Sequence, residues 1–285
     1  MSGGEHQTPI DYLDPGKGKI STGQLWTYHH YQHGVLYDWH TSRANNCLDR
    51  ILIGGGNDTS FSGHLQSDGL AAYRTFVERH DQLAIILVSC LAHIRRKFVE
   101  AKGDHTRLTA WILYLIGRIY KVEAACRESN APPDERLEKR KTESHRIYLH
   151  LGKLFKHLET RRSILPKSKL GKALSYARAQ SSLLKPCFED GRIEFDNNLT
   201  ENAIRPTKLG AKNWMFVGGA DTGWRSAIVY TFIEQIRTEG HDPFAYLEWV
   251  FEKLITATNQ EDLRQLLPKS WLKRKHALSE DLKAA

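Results

Sequence analysis

Two carboxylates and one run of cations are the residues best suited to chemistry. Asp68 ends the segment GHLQSDG, residues 63–69, a short strand that closes in Ser67-Asp68-Gly69. A carboxylate at a strand end is exposed on a rigid base, where metal-dependent sites place hard oxygen ligands. Taken alone, a turn aspartate bonding its own backbone is the plainer account. Glu201 lies in DNNLTENAIRP beside Asp196, Asn197 and Asn198. That oxygen-rich string can organise a metal site or shape a turn, with the glutamate as a helix-dipole partner. In CLAHIRRKF, residues 90–98, Cys90 and His93 share a helical face. Two ligands are too few for a closed zinc site, so a buried thiol and a hydrogen-bonded histidine fit better. Arg95, Arg96 and Lys97 can hold phosphates or form a solvated face.

The elements around these residues follow from periodicity. GQLWTYHHYQ (23–32) and GVLYDWHTS read as strands rich in aromatic and β-branched residues, with Gly34 at the turn. NNCLDRILIGG reads as a short helix closed by glycines. LAAYRTFVERH reads as a helix, QLAIILVSC (82–90) as a strand buried on both faces, and LAHIRRKFVEAKG as a helix again. Strands that are first antiparallel and then alternate with helices predict an α/β or α+β sheet domain. Leu108, Ile112, Leu115, Ile119 and Val122 form an amphipathic stripe that stops at Ala131-Pro132-Pro133. Residues 134–163 carry nine Lys or Arg against five Asp or Glu, a solvated helical face or a nucleic-acid-facing one. After the break at Leu165-Pro166, KLGKALSYARAQSSLL resumes a helix. Arg192–Phe195 reads as a short strand. Asn198 or Thr200 caps a helix through Arg205, limited by Pro206. Residues 223–239 predict a helix ending at Gly240. Asp242 and Pro243 open a last long helix that ends at Leu266-Leu267-Pro268, before a loose polar tail.

Composition narrows the function classes. The chain has 285 residues and a formal net charge of +8, which suits a polyanionic partner without requiring one. The longest apolar run, Leu83 to Ala92, falls well short of the roughly 18 residues that a membrane span needs. The opening MSGGEHQTP lacks the layout of a signal peptide. Cys47, Cys90, Cys126 and Cys187 stand far apart, against a disulfide scaffold and in favour of a reducing, cytoplasmic setting.

Several strings occur in an order that resembles one family. LQSDGLAAYRTF, CLAHIRRKF, LGKALSYA, GRIEFDNNLTENAIRPTKLGAKNWMFVGG and HDPFAYLEWVFEKL are similar to the catalytic half of bacterial transposases of the insertion-sequence-66 family. TPIDYLDPGKGKISTGQLWTY resembles the segment leading into it, so the likeness runs from about Thr8 to Trp271. The resemblance implies an α/β (α+β), ribonuclease-H-like mixed sheet flanked by helices. A helical region is inserted between the second and third catalytic carboxylates. It also implies a DDE site in which two aspartates and a glutamate hold divalent metal, Mg2+ or Mn2+, for DNA strand cleavage and transfer. Asp68 matches the second aspartate and Glu201 the glutamate, as catalytic and metal-ligating residues. Asn198 and Arg205 fall on the glutamate's string, to orient it and contact phosphate. Candidate DNA contacts are Arg95, Arg96, Lys97, Arg205, Lys208 and Lys212, with Asp196, Asn197, Asn198 and His93 in support.

The departures bear on activity. The family's first aspartate opens a D-E-T-P string, aligned here with His6-Gln7-Thr8-Pro9, so that carboxylate is missing. Asp11 is a poor substitute, because positions 6 and 11 differ in parity along a strand. Asn202 stands where the family has an arginine, and Ala211 replaces a frequent basic residue. The expected organisation is the first part of the catalytic domain (1–103, first strand truncated), a helical insertion (104–190), the remainder with the glutamate helix (191–239), and a C-terminal helical segment and tail (240–285). The leading expectation is a truncated transposase copy of impaired activity. It would act on transposon ends and target DNA as a homo-oligomer in the bacterial cytoplasm, with no membrane or small-molecule partner. The alternatives are a non-catalytic DNA-binding or interaction protein and, less favoured, another ribonuclease-H-like nuclease. Asp68 and Glu201 are expected to converge on one face of the sheet.

Overall fold

The structure is a computed structural model that describes residues 7–14, 18–31, 33–54 and 60–284, with backbone alone at residues 276 and 278–284. From the N-terminus the chain forms β1 (Thr8–Asp14), β2 (Lys19–His30), β3 (Gly34–His40), α1 (Asp49–Leu52), β4 (Gly63–Gln66), α2 (Ala71–Arg79), β5 (Ile85–Val88) and α3 (Leu91–Glu100). Four helices follow: α4 (Thr106–Glu128), α5 (Pro133–Lys139), α6 (His145–Glu159) and α7 (Lys169–Ser181). The chain closes with α8 (Asn198–Trp214), β6 (Phe216–Gly219), α9 (Gly223–Thr238), α10 (Pro243–Leu254), α11 (Gln260–Gln265) and α12 (Pro268–Ala284). The expected mixed α/β architecture is present, and a mixed sheet with helices is consistent with a ribonuclease-H-like fold.

The chain divides into two compact units. One spans Ala44–Asn198 and the other joins the first three strands, through Arg43, to everything from Leu199 onward. In the second unit a four-stranded sheet has the order β3-β2-β1-β6. The β1–β2 and β2–β3 pairings are antiparallel, and β1 runs parallel to β6. Along β1 burial alternates strictly, with Thr8, Ile10 and Tyr12 inside and Pro9, Asp11 and Leu13 outside, the period-two pattern of a half-buried strand. Tyr12, Leu25, Val35, Tyr37 and Trp39 form the sheet's inner layer, against Ala203 of α8 and Ala227 of α9.

In the unit Ala44–Asn198, β4 and β5 pair in parallel, from Gly63↔Ile85 to Gln66↔Val88. Helices α3, α4, α6 and α7 build a core from Ile94, Phe98, Ile112, Ile116, Ile119, Leu151, Phe155, Leu170 and Leu174. The stripe predicted on α4 is the face it buries.

Five sequence expectations need correction. β5 is not buried on both faces, since Ile86 is 49 % exposed. Residues 192–195 form turns and no strand. The Ile193 and Glu194 carbonyls are taken by side chains and the Phe195 carbonyl by the Leu91 N–H. α8 continues through Pro206 to Trp214. An internal proline costs about 3 kcal/mol or more, and burial of Ala203, Ile204 and Thr207 offsets it. The last long helix is two shorter ones, α10 and α11, because Asn259 starts a new helix by accepting the Asp262 N–H at 2.9 Å. The tail is helical as α12, anchored by Trp271 against Ile236 and Tyr246.

Candidate functional site

Asp68 stands just beyond β4, at the carboxyl end of a parallel strand pair. Ser67 N–H donates to Val88 O at 2.9 Å, extending the pairing to the residue before Asp68. Ligands of open α/β sheets bind beyond such strand ends. Gly69 then takes φ +93, and a Cβ there would lie 2.9 Å from the Gln180 amide nitrogen. The turn role foreseen for Asp68 is present, since its Oδ1 accepts the Leu70 N–H at 3.2 Å. Tyr176 OH donates to the Asp68 backbone carbonyl. Asp68 Oδ2 also faces His93 Nε2 at 4.0 Å, from the first turn of α3.

The string DNN is held beside β5. Leu91 N–H donates to Phe195 O at 2.7 Å. The Gln66 amide donates to Glu194 O at 2.8 Å and to Ser89 O at 3.2 Å, fastening the loop to β4. The Cys90 thiol donates to Asn197 Oδ1 at 2.9 Å, and Asn198 N–H to Asp196 Oδ1 at 3.2 Å. Burial pushes the Cys90 thiol up to about 12, so it stays protonated as a donor. Burial, together with the charge of Asp196, also raises Tyr120. Asp196 and Asn197 are both buried, and the Asn197 Nδ2 has no hydrogen-bond partner among the described residues. One unit therefore gathers Asp68, Cys90, His93, Asp196, Asn197 and Asn198 around the ends of β4 and β5.

Glu201 belongs to the other unit, in the first turn of α8. Thr200, Ala203, Ile204 and Thr207 form the buried side of α8. The Thr8 and Thr207 hydroxyls bond at 2.6 Å, and Tyr37 OH donates to Ala203 O. Glu201, Arg205, Lys208 and Lys212 recur at three- and four-residue steps, so they share one line along the helix, with the three cations exposed. On α3, Arg95 and Arg96 line an open groove of about 520 Å³ with Gly117, Tyr120 and Asn198. Lys97 instead lies 5.9 Å over the Tyr176 ring.

No group of three or more His, Cys, Asp or Glu among the described residues has the geometry to hold a metal ion. The Cys90 thiol is bonded to Asn197, and His93 faces the Asp68 carboxylate. The position of the missing first carboxylate, residue 6, lies outside the described residues. Among the described residues the donor set falls short of the three-carboxylate arrangement.

Residues 6–224 match the Transposase IS66 family, and residues 231–269 match the IS66 C-terminal element. The chain belongs to the IS66 transposase family. It is similar to two proteins of Sinorhizobium fredii (strain NBRC 101917 / NGR234), uncharacterized protein y4jD and uncharacterized protein y4qI. The first is 30% identical over 278 residues, covering 93% of this chain and 52% of the relative. The second is 29% identical over 276 residues, covering 92% and 49%. The chain thus spans about half the length of the curated relatives it matches. No solved structure matches it.

No helix among the described residues is long and apolar enough to cross a membrane. Sequence reasoning missed one feature of this IS66 chain, the clamp on the turn before DNN. Arg140, fully buried at the start of a π-helical turn, donates to both oxygens of the buried Glu123, each at 2.7 Å. It also donates to Cys187 O and Ile193 O at 2.8 Å and lies 4.7 Å over the Phe195 ring. Arg136 and Arg127 hold the Glu194 carboxylate at 2.6 and 3.1 Å. A Cβ at Gly191 would fall 1.9 Å from Pro133 O, so only glycine fits there. The two adjoining prolines of Ala131-Pro132-Pro133 were the one visible signal, and they read only as a helix break.

Proposed function

We propose that this chain is the catalytic region of a DNA-transposing enzyme, acting by metal-dependent strand cleavage and transfer, with activity impaired by the loss of one ligand. The observation that carries the proposal is the family match over residues 6–224, which contains Asp68, Glu201 and the DNN string. Asp68 and Glu201 are the two carboxylates assigned to the metal, Mg2+ or Mn2+. His6 occupies the position of the third and cannot supply a hard anionic oxygen. Asp11 does not replace it, since it lies on the exposed face of β1 and accepts a hydrogen bond from Thr22 at 2.8 Å. Arg205, Lys208 and Lys212 contact DNA phosphates along α8, and Arg95, Arg96 and Lys97 do so along α3. Asn198 orients the glutamate, with Asp196, Asn197 and His93 supporting the loop. The working form is a homo-oligomer on transposon ends and target DNA in the bacterial cytoplasm.

A second reading is a non-catalytic DNA-binding protein, favoured by the exposed cation line of α8 and by His6 at the position of the family's first aspartate. A magnesium-dependent strand-transfer assay on the element's terminal repeats separates the two. Weak turnover is expected, raised about a hundredfold by His6→Asp, the scale of a misplaced reacting group, and abolished by Asp68→Ala. Turnover indifferent to both changes overturns the catalytic reading, and DNA binding without turnover in His6→Asp supports the second.

A further inference from the structure

α4 packs one face into the core and leaves the other to solvent. On the open face stand Trp111, 49 % exposed, and Tyr114, 54 % exposed, with ring centroids 5.4 Å apart and an interplanar angle of 23°. Burial does not account for this pair, since Ile112, Leu115 and Ile116 do the packing of the same turns. At about 100° per residue, Arg107, Trp111, Tyr114, Arg118 and Lys121 fall on one narrow stripe, and all five are exposed. The stripe holds three cations and no carboxylate. With a rise of about 1.5 Å per residue it runs roughly 20 Å along the helix.

The surface continues sideways. Gly117, one turn beyond Tyr114, borders the groove lined by Arg95 and Arg96 of α3, and a Cβ placed on it would point into open space. Aromatic faces set in a basic track are what single-stranded nucleic acid needs, since unstacked bases lie on the rings while the cations follow the phosphates. A duplex hides its base faces and would use the cations alone. α10 provides the contrast. It also exposes Phe244 and Phe251, but the exposed Glu248 lies between them on the same face, which does not suit a polyanion.

We propose that the outer stripe of α4 is a binding track for an unpaired DNA strand, with Trp111 and Tyr114 stacking on its bases. The proposal rests on the reading of the chain as a protein that handles DNA, but not on its catalysing strand transfer. Its test is therefore an equilibrium binding measurement that needs no turnover. A fluorescein-labelled oligothymidylate and a labelled duplex of equal length are titrated with the full chain, in the absence of metal. The double variant Trp111→Ala/Tyr114→Ala is expected to weaken oligothymidylate binding about tenfold or more, the scale of one lost stacking contact. Duplex binding should change less than about twofold, because the phosphate contacts remain. Trp111→Phe should keep most of the single-strand affinity, and the thermal melting of both variants should match that of the parent. Unchanged oligothymidylate affinity in the double variant overturns the proposal, as does an equal loss on duplex and single strand. A changed sedimentation coefficient with DNA affinity intact also overturns it, and would make the face a contact between copies.

Discussion

Residues 189–197 and the helix that follows, α8, adjoin in sequence and lie in different compact units, and they are secured by opposite means. The first stretch has almost no regular structure. The Ile193 and Glu194 carbonyls are taken by the side chains of Arg140 and Gln66, the Phe195 carbonyl by the Leu91 N–H, and the Glu194 carboxylate by Arg127 and Arg136. α8 satisfies its own backbone and is held by an apolar face, while its cations stand in water. An irregular segment becomes rigid only where buried charge is fully matched, whereas a regular helix leaves its charged side free for a ligand. Charge in the loop should therefore act on stability, and charge on α8 on binding.

The largest expected effect breaks the clamp. Arg140→Met leaves Glu123 buried without its partner and strands the carbonyls of Cys187 and Ile193. Removing one member of a buried pair costs about 3–5 kcal/mol, read as a lowered midpoint in urea denaturation. The double variant Arg140→Met/Glu123→Met should recover part of that loss, because no lone charge remains. A single variant within about 1 kcal/mol of the parent, against the usual cost of such a break, would show that the pair is not what holds the loop.

That pair also marks the limit of what could be read in the sequence. Helix starts at Asp242-Pro243, the hairpin turn at Gly34 and the stripe on α4 were legible because cap, φ and periodicity are local properties. The turns at Asp68 and at Asp196 were legible too, since a carboxylate bonding the N–H two residues on is a local motif. Arg140 was not, because a residue in a run of nine cations reads as solvated. Its partner Glu123 lies on a different helix, and only the packing of α4 against the π-helical turn buries the two together. Pro206 misled for a related reason. A local rule against proline was outweighed by apolar burial on the far side of α8, which depends on Tyr37 and Thr8 from the sheet.

A middle-sized effect depends on pH. Burial pushes the Glu194 carboxyl up, but Arg136 and Arg127 outweigh it and hold it below its ordinary value. A folded-state pKa below the unfolded one means a stabilising contribution that is fully present above the unfolded value. It is lost as pH falls through the folded value. The chain should therefore lose stability as the solution is acidified below the ordinary glutamate range, about 4.3. Glu194→Gln should flatten that part of the stability–pH profile relative to the parent. Parallel profiles for the two proteins would remove Glu194 from the account of the clamp.

The smallest effect on stability is expected on α8, and it sharpens the comparison from the other side. Lys208 and Lys212 are exposed, and no ion pair holds either among the described residues. Replacing either with alanine should change stability by no more than about 0.5 kcal/mol, as is usual for surface positions. The same changes should be visible in DNA binding. Each lost phosphate contact removes about 0.9 from the slope of log K against log salt on duplex DNA. Lys208→Ala and Lys212→Ala should then lower the slope one contact at a time, with the gap to the parent widening at low salt. If both variants keep the parental slope, the line of cations on α8 faces no phosphate, and its charge serves solubility alone.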